Sequence, residues 1–272
     1  MNISQLRSCR LGLVVTAATF IGMLLPPGAA HGQDGLSGRL HLIGQMDRDG
    51  DYATALEILR AAYQRNQDDF DLRYWLAEIL VDSSEISAGS GLQEEAKLLC
   101  EEAVTHARAA VNVRPRGADG WFQVGRALGA LSQLAAGSQS ARMARESRAA
   151  FEKAISLDPS HAAALHGLAR WHRFVASLST AEKAAVKLFF GGLPPASNEE
   201  AVLLFRRAIA IDPATIVHHL ELGKTYVELG QAGMARAQFE IVLELPETDH
   251  WDVGRKEEAR RLLESMTVKR SP

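Results

Sequence analysis

Asp47-Arg48-Asp49-Gly50-Asp51-Tyr52 puts carboxylates at the first, third and fifth positions of a calcium-type loop. The pattern fails at the sixth position, which is Tyr52 where the sharp turn needs Gly. It fails again at the twelfth, Ile58, where a bidentate Glu belongs. Gly50 and Asp51 read instead as a turn followed by a helix N-cap. His161, His166 and His172 are spaced five and six apart, so they do not share a helical face, and His218-His219 are adjacent. No His pair has the spacing of a zinc helix, no Ser sits in a Gly-x-Ser-x-Gly elbow, and no glycine-rich phosphate loop is present. No catalytic residue, metal or cofactor is expected. Cys100, in LLCEEAVTHA, falls on the apolar side of a helix and is expected in the core.

The strongest pattern is architectural. In HHLELGKTYVELGQAGMARAQFEIVLELP, from His218 to Pro246, Gly223 and Tyr226 are followed by Ala235, Phe239, Val242 and Pro246. That order of small, aromatic and proline positions is the signature of a tetratricopeptide repeat, a helix–turn–helix unit of 34 residues. Second helices repeat it at Ala201, Phe205, Ala208 and Pro213, and at Ala103, Ala107, Ala110 and Pro115. Ser147, Phe151, Ala154 and Pro159 form another copy, and Ala55, Leu59 and Ala62 a looser one. Small residues allow close helix approach, and Pro stops a helix because it has no amide donor. The fold class is therefore all-α, a superhelical solenoid of helix–turn–helix units over residues 39–268. Its C-terminal capping helix runs from Trp251 to Thr267.

Uneven repeat spacing predicts insertions near 83–93, 131–140 and 174–197, the first reading as a Ser/Gly-rich loop. The third contains an amphipathic helix, about Ala181 to Phe190. It either packs back on the solenoid or forms a lid over the groove through Val186, Phe189 and Phe190. First helices line the concave face of such arrays. The predicted register turns Phe122, Arg126, Leu168, Trp171, Leu220, Lys224 and Val227 toward it, an apolar surface with two cations. Trp121 and Tyr226 are expected between helices.

Residues 1–32 belong to a different class. Arg7 and Arg10 precede an apolar run from Leu11 to Leu25, and Pro26-Pro27-Gly28-Ala29-Ala30 follows. This is the layout of a secretory signal peptide, with cleavage expected after Gly32 or Ala30. The fifteen apolar residues fall short of the roughly 20 that span a bilayer, so no stable transmembrane anchor is expected. The protein is expected to be exported, to the periplasm. Loss of Arg7 and Arg10 moves the formal charge from −3 to −5, which argues against nucleic acid. Residues 33–38 read as a short linker and 269–272 as a tail.

The order of pieces resembles one family, the regulator of microtubule dynamics proteins. The carrying residues are Asp71-Leu-Arg-Tyr-Trp-Leu-Ala77, the Trp121 helix, Ala154-Ile-Ser-Leu-Asp-Pro159 and His166-Gly-Leu-Ala-Arg-Trp171. Phe189-Phe190-Gly191, Pro194-Pro195, Glu200-Ala201, Phe205, Leu222-Gly-Lys-Thr-Tyr226 and Glu228-Leu-Gly-Gln231 complete it. The resemblance implies a repeat domain that binds in its groove, and one member resembles a phospholipid carrier. The expected function is a non-catalytic binding module for a protein or peptide partner; the alternative is a phospholipid carrier using the same groove. Continuous apolar lining would favour lipid, and charges scattered along the groove would favour peptide.

Overall fold

The computed structural model describes residues 33–268, and every element among them is helical. Contacts divide the chain at Arg39 into two units, and the second, from Leu40 onward, carries the solenoid. The expected signal peptide and tail lie outside the described residues.

Twelve helices follow in order among the described residues. They are α1 (Gln33–Asp49), α2 (Tyr52–Tyr63), α3 (Phe70–Gly89), α4 (Gln93–Val113), α5 (Ala118–Leu134) and α6 (Gly137–Leu157). Then come α7 (Ala162–Ser177), α8 (Thr180–Phe190), α9 (Asn198–Ile211), α10 (Ile216–Glu228), α11 (Ala232–Glu244) and α12 (Trp251–Val268). The antiparallel pairs are α3 with α4, α5 with α6, α7 with α9, and α10 with α11, while α3, α5, α7 and α10 stack side by side as an inner wall. This is the tetratricopeptide-repeat solenoid.

The prolines act as expected. Helices α4, α6, α9 and α11 each end two residues before Pro115, Pro159, Pro213 and Pro246, because the residue before Pro is pushed out of helical geometry. The small–aromatic pairs of the repeat turn out to be direct contacts. A Cβ on Gly125 or Gly167 would lie 2.7 or 2.5 Å from the Phe151 ring, and one on Gly223 would lie 2.4 Å from the Phe239 ring. Glycine lets each aromatic ring lie directly against the neighbouring backbone. Phe205, Phe239, Leu165, Leu220 and Leu222 are fully or almost fully buried in the core of the C-terminal half, each adding about 1.5–3 kcal/mol of apolar burial.

Two segments differ from expectation. The 33–38 stretch is the start of α1 and not a linker; Leu36, Leu40 and Ile43 keep helical spacing across it. Residues 83–89 are not loop, because α3 continues to Gly89. Ser83 and Ser84 donate to the carbonyls of Ile79 (2.8 Å) and Val81 (2.6 Å), so their hydroxyls fold onto the helix instead of breaking it. Only Ser90, Gly91 and Leu92 separate α3 from α4. The 131–140 insertion likewise lengthens α5 and α6 around Ala135-Ala136.

The two ends of the 40–268 unit meet. Gly50 takes φ +77° in the α1–α2 turn, and Asp51 caps α2 through Thr54 N. The His250 amide donates to the Arg48 carbonyl at 2.9 Å, and Trp251 Nε1 donates to the Tyr52 hydroxyl at 2.9 Å. The α11–α12 connection thus closes on the first turn of the array and frames a groove.

Candidate functional site

The inner wall encloses a cavity of about 630 Å³ that runs from Asp47 to Arg255. Each inner helix contributes a stripe at i, i+3, i+4 spacing, the period at which side chains share a face. On α3 the stripe is Glu78, Asp82 and Glu85; on α5, Phe122, Arg126 and Gly129; on α7, His166, Arg170, Arg173 and Ser177. Val217, His218 and Glu228 on α10, and Trp251 and Arg255 on α12, complete it.

Most of these charges are engaged with one another. The Arg126 guanidinium pairs with Glu78 at 2.8 Å and with Asp82. Arg173 pairs with Glu221 and, at 3.2 Å, with Glu228. Arg255 pairs with Asp249 at 2.9 Å and Asp252 at 2.8 Å. The first two sets tie helix to helix: α5 to α3 and α7 to α10. Four charged groups are left over. Asp47 and Glu85 at one end, the exposed Arg170 toward the other, and Asp212 just before α10, which accepts only from the Thr215 hydroxyl, have no ion-pair partner among the described residues.

The acidic end is crowded. Burial, with Glu78 beside it, raises the Asp47 carboxyl from 3.8 to about 6. Burial also pushes Asp82 up against the pull of Arg126. In contrast, Arg173, Arg170 and Lys224 hold Glu221 below the usual carboxylate range against its own burial. Between the ends, His166 and His218 are hydrogen-bonded Nδ1 to Nδ1 at 2.9 Å. Burial lowers both, His218 to about 4, so the pair is neutral near pH 7.

The seven residues expected in the groove divide. Phe122, Arg126 and Trp171 line it. Trp171 is fixed by its Nε1 donating to the Ala144 carbonyl at 2.8 Å. Leu168 and Leu220 belong to the buried core instead, rotated away from the stripe by the roughly 100° that one helical residue spans. Lys224 does not line the cavity; it pairs with Glu221 and Glu258, each at 3.0 Å. Val227 is exposed outside it. The expected picture of an apolar floor with two cations is therefore corrected to a charged one. Of the two readings of the third insertion, the structure has the helix packed back on the solenoid and not the lid. Val186, Phe189 and Phe190 lie on α8, which packs on α6, and no α8 residue lines the cavity. Arg145 of α6 holds its end through the carbonyls of Phe190 (3.0 Å) and Gly192 (2.8 Å). The missed groove residues had a sequence signal, since Glu78-x₃-Asp82-x₂-Glu85 and His166-x₃-Arg170-x₂-Arg173 are polar stripes on otherwise apolar helices.

The family profile of regulator of microtubule dynamics protein 1-3 matches residues 41–267, the whole of this solenoid. The chain belongs to that family. Regulator of microtubule dynamics protein 1 of Pongo abelii is 29% identical over 209 residues, 75% of this chain and 65% of that protein. The Homo sapiens protein is 29% identical over 198 residues, 71% of this chain and 62% of its own length. The chain thus spans under two thirds of these relatives. A thermophilic TPR protein of Thermus thermophilus superposes with a TM-score of 0.61 at 18% identity, covering 85% of this chain and 98% of that one. That likeness concerns the fold.

Proposed function

We propose that the chain is a non-catalytic binding module that takes a protein or peptide segment of mixed charge in its concave groove. The observation that carries this reading is the distribution of charge: carboxylates on α3 and α10 and guanidinium groups on α5, α7 and α12 line the cavity together instead of leaving a continuous apolar floor for acyl chains. Asp47 and Glu85 are available to a basic side chain or amine, and Arg170 to a carboxylate. Phe122, Trp171 and the exposed Phe174 offer apolar contacts between them. Such an arrangement suits a polypeptide, whose charges and apolar groups alternate, and sets orientation and on-rate through electrostatic complementarity. The chain is also proposed to be exported to the periplasm on the strength of residues 1–32, which N-terminal sequencing of the periplasmic fraction tests.

The groove reading is tested by native mass spectrometry of the purified chain with lipid extraction, alongside selection of a random peptide library on the immobilised protein. Selected peptides are expected to carry a basic and an acidic residue, and to displace nothing on binding. A stoichiometric phospholipid in the purified chain, with no peptide selected, would hand the groove to the carrier reading.

A further inference from the structure

Helix α8 is unlike the other helices of the array. It has eleven residues, none of them buried, and its backbone packs only against α6 among the other helices. A helix this short is marginal in water and ordinarily owes its stability to a packed apolar face. Here the ends are secured instead. Ser179 and Glu182 form a capping box, and Gly191 closes the C-terminus in the left-handed conformation. Lys183 Nζ donates to the Ala176 carbonyl at 2.8 Å.

What these devices hold in place is an apolar strip facing outward. At roughly 100° per residue, Ala181, Ala184, Ala185, Leu188 and Phe189 fall on one continuous arc, and all five are exposed. Leu188 is 76% and Phe189 70% exposed, the largest values among the exposed large hydrophobic residues. The half-buried Val186 and Phe190 take the inward side. Lys187 borders the strip and is exposed, Lys183 lies on the opposite face with its Nζ on the Ala176 carbonyl, and the one acidic side chain of α8, Glu182, is turned back to the Ser179 amide and hydroxyl at 2.8 and 2.7 Å.

We propose that α8 docks the solenoid on an anionic phospholipid bilayer, Leu188 and Phe189 entering the acyl boundary and Lys187 meeting a headgroup phosphate. The strip offers no hydrogen-bonding group for a protein surface to satisfy. Its area, roughly 300–400 Å², is well below the roughly 800 Å² per partner of a stable protein interface, yet enough for an interfacial helix with a cation at its border. This surface is independent of what the groove binds.

The test is hydrogen exchange of backbone amides 180–190 in the full chain, with and without vesicles of phosphatidylglycerol and phosphatidylcholine. Anionic vesicles are expected to slow exchange there by about tenfold or more, and pure phosphatidylcholine vesicles much less. The Leu188→Ser/Phe189→Ser variant should lose that protection, and Lys187→Glu should lose the preference for anionic vesicles. Both should keep the wild-type Tm, since neither alters a buried residue. Unchanged exchange of the wild-type segment with anionic vesicles overturns the proposal. So does equal protection in the Leu188→Ser/Phe189→Ser variant. Vesicle-independent self-association abolished by that variant also overturns it and assigns the strip to a second copy.

Discussion

Replacing Gly223 by Ala should destabilise this solenoid even though Ala is the better helix former. The added methyl would lie 2.4 Å from Cε1 and 2.8 Å from Cδ1 of Phe239, a ring with no exposed surface. Ordinary contact needs about 3.5–4 Å between carbons, so the ring or the α10–α11 spacing must give by about 1 Å or more. Overpacking a filled core costs about 1–3 kcal/mol, against a helical gain of about 1 kcal/mol. Given how short the contact is, the upper part of that range applies, leaving a net loss of about 1–2 kcal/mol. For a chain of this size that is about 2–8 °C in Tm. Gly254 in α12 is the internal control: it is exposed, and a Cβ there meets nothing within 4 Å, so Gly254→Ala should be neutral or stabilising by up to about 1 kcal/mol. Urea and thermal denaturation of both variants, followed by circular dichroism, make the comparison. A Gly223→Ala protein as stable as wild type would refute the view that glycine–aromatic contact locks the repeat.

Other outcomes follow from the charged wall. Arg126→Met leaves Glu78 and Asp82 facing each other, partly buried and unpaired, and should cost about 3 kcal/mol; adding Asp82→Asn should recover part of it, as urea denaturation would show. The pH dependence of Tm should separate two groups of opposite sign. His166 and His218 are held neutral by burial, so the unfolded chain takes up their protons first, near the ordinary histidine value of about 6.5, and their contribution is lost as pH falls from there through about 4; His218→Gln should flatten that limb. Asp47, raised to about 6, favours the folded state at low pH and loses that contribution as pH rises through about 6, so Asp47→Asn should raise Tm at about pH 8 and not at about pH 4.

The sequence exposed what is decided locally. Proline ends, glycine–aromatic pairs and the buried Cys100, whose thiol donates to Ser84 at 3.2 Å, follow from one or two residues and their immediate neighbours. The helical course of Ser83–Gly89 was hidden because serine favours loops in isolation, whereas here Ser84 and Ser87 are buried and small enough to sit within the packed array. The groove was half legible. Its acidic and basic stripes are written on α3 and α7, but their partners are not: Arg126 meets Asp82 44 residues back, and Arg173 meets Glu221 48 residues on. Those pairings depend on the superhelical register between repeats. The same register decides that Lys224 faces Glu258 of α12 while Arg170 is left facing the groove.

The groove claim is tested most directly by a charge-swap cycle on one selected peptide. Its acidic residue is changed to Lys, Arg170 is changed to Glu, and all four affinities are measured by calorimetry. Each single change should weaken binding about tenfold or more, and the double change should restore much of it, a coupling of about 1.5 kcal/mol or more. Additive losses, or an Arg170→Glu protein that binds the original peptide as well as wild type, would contradict a peptide seated in the concave groove.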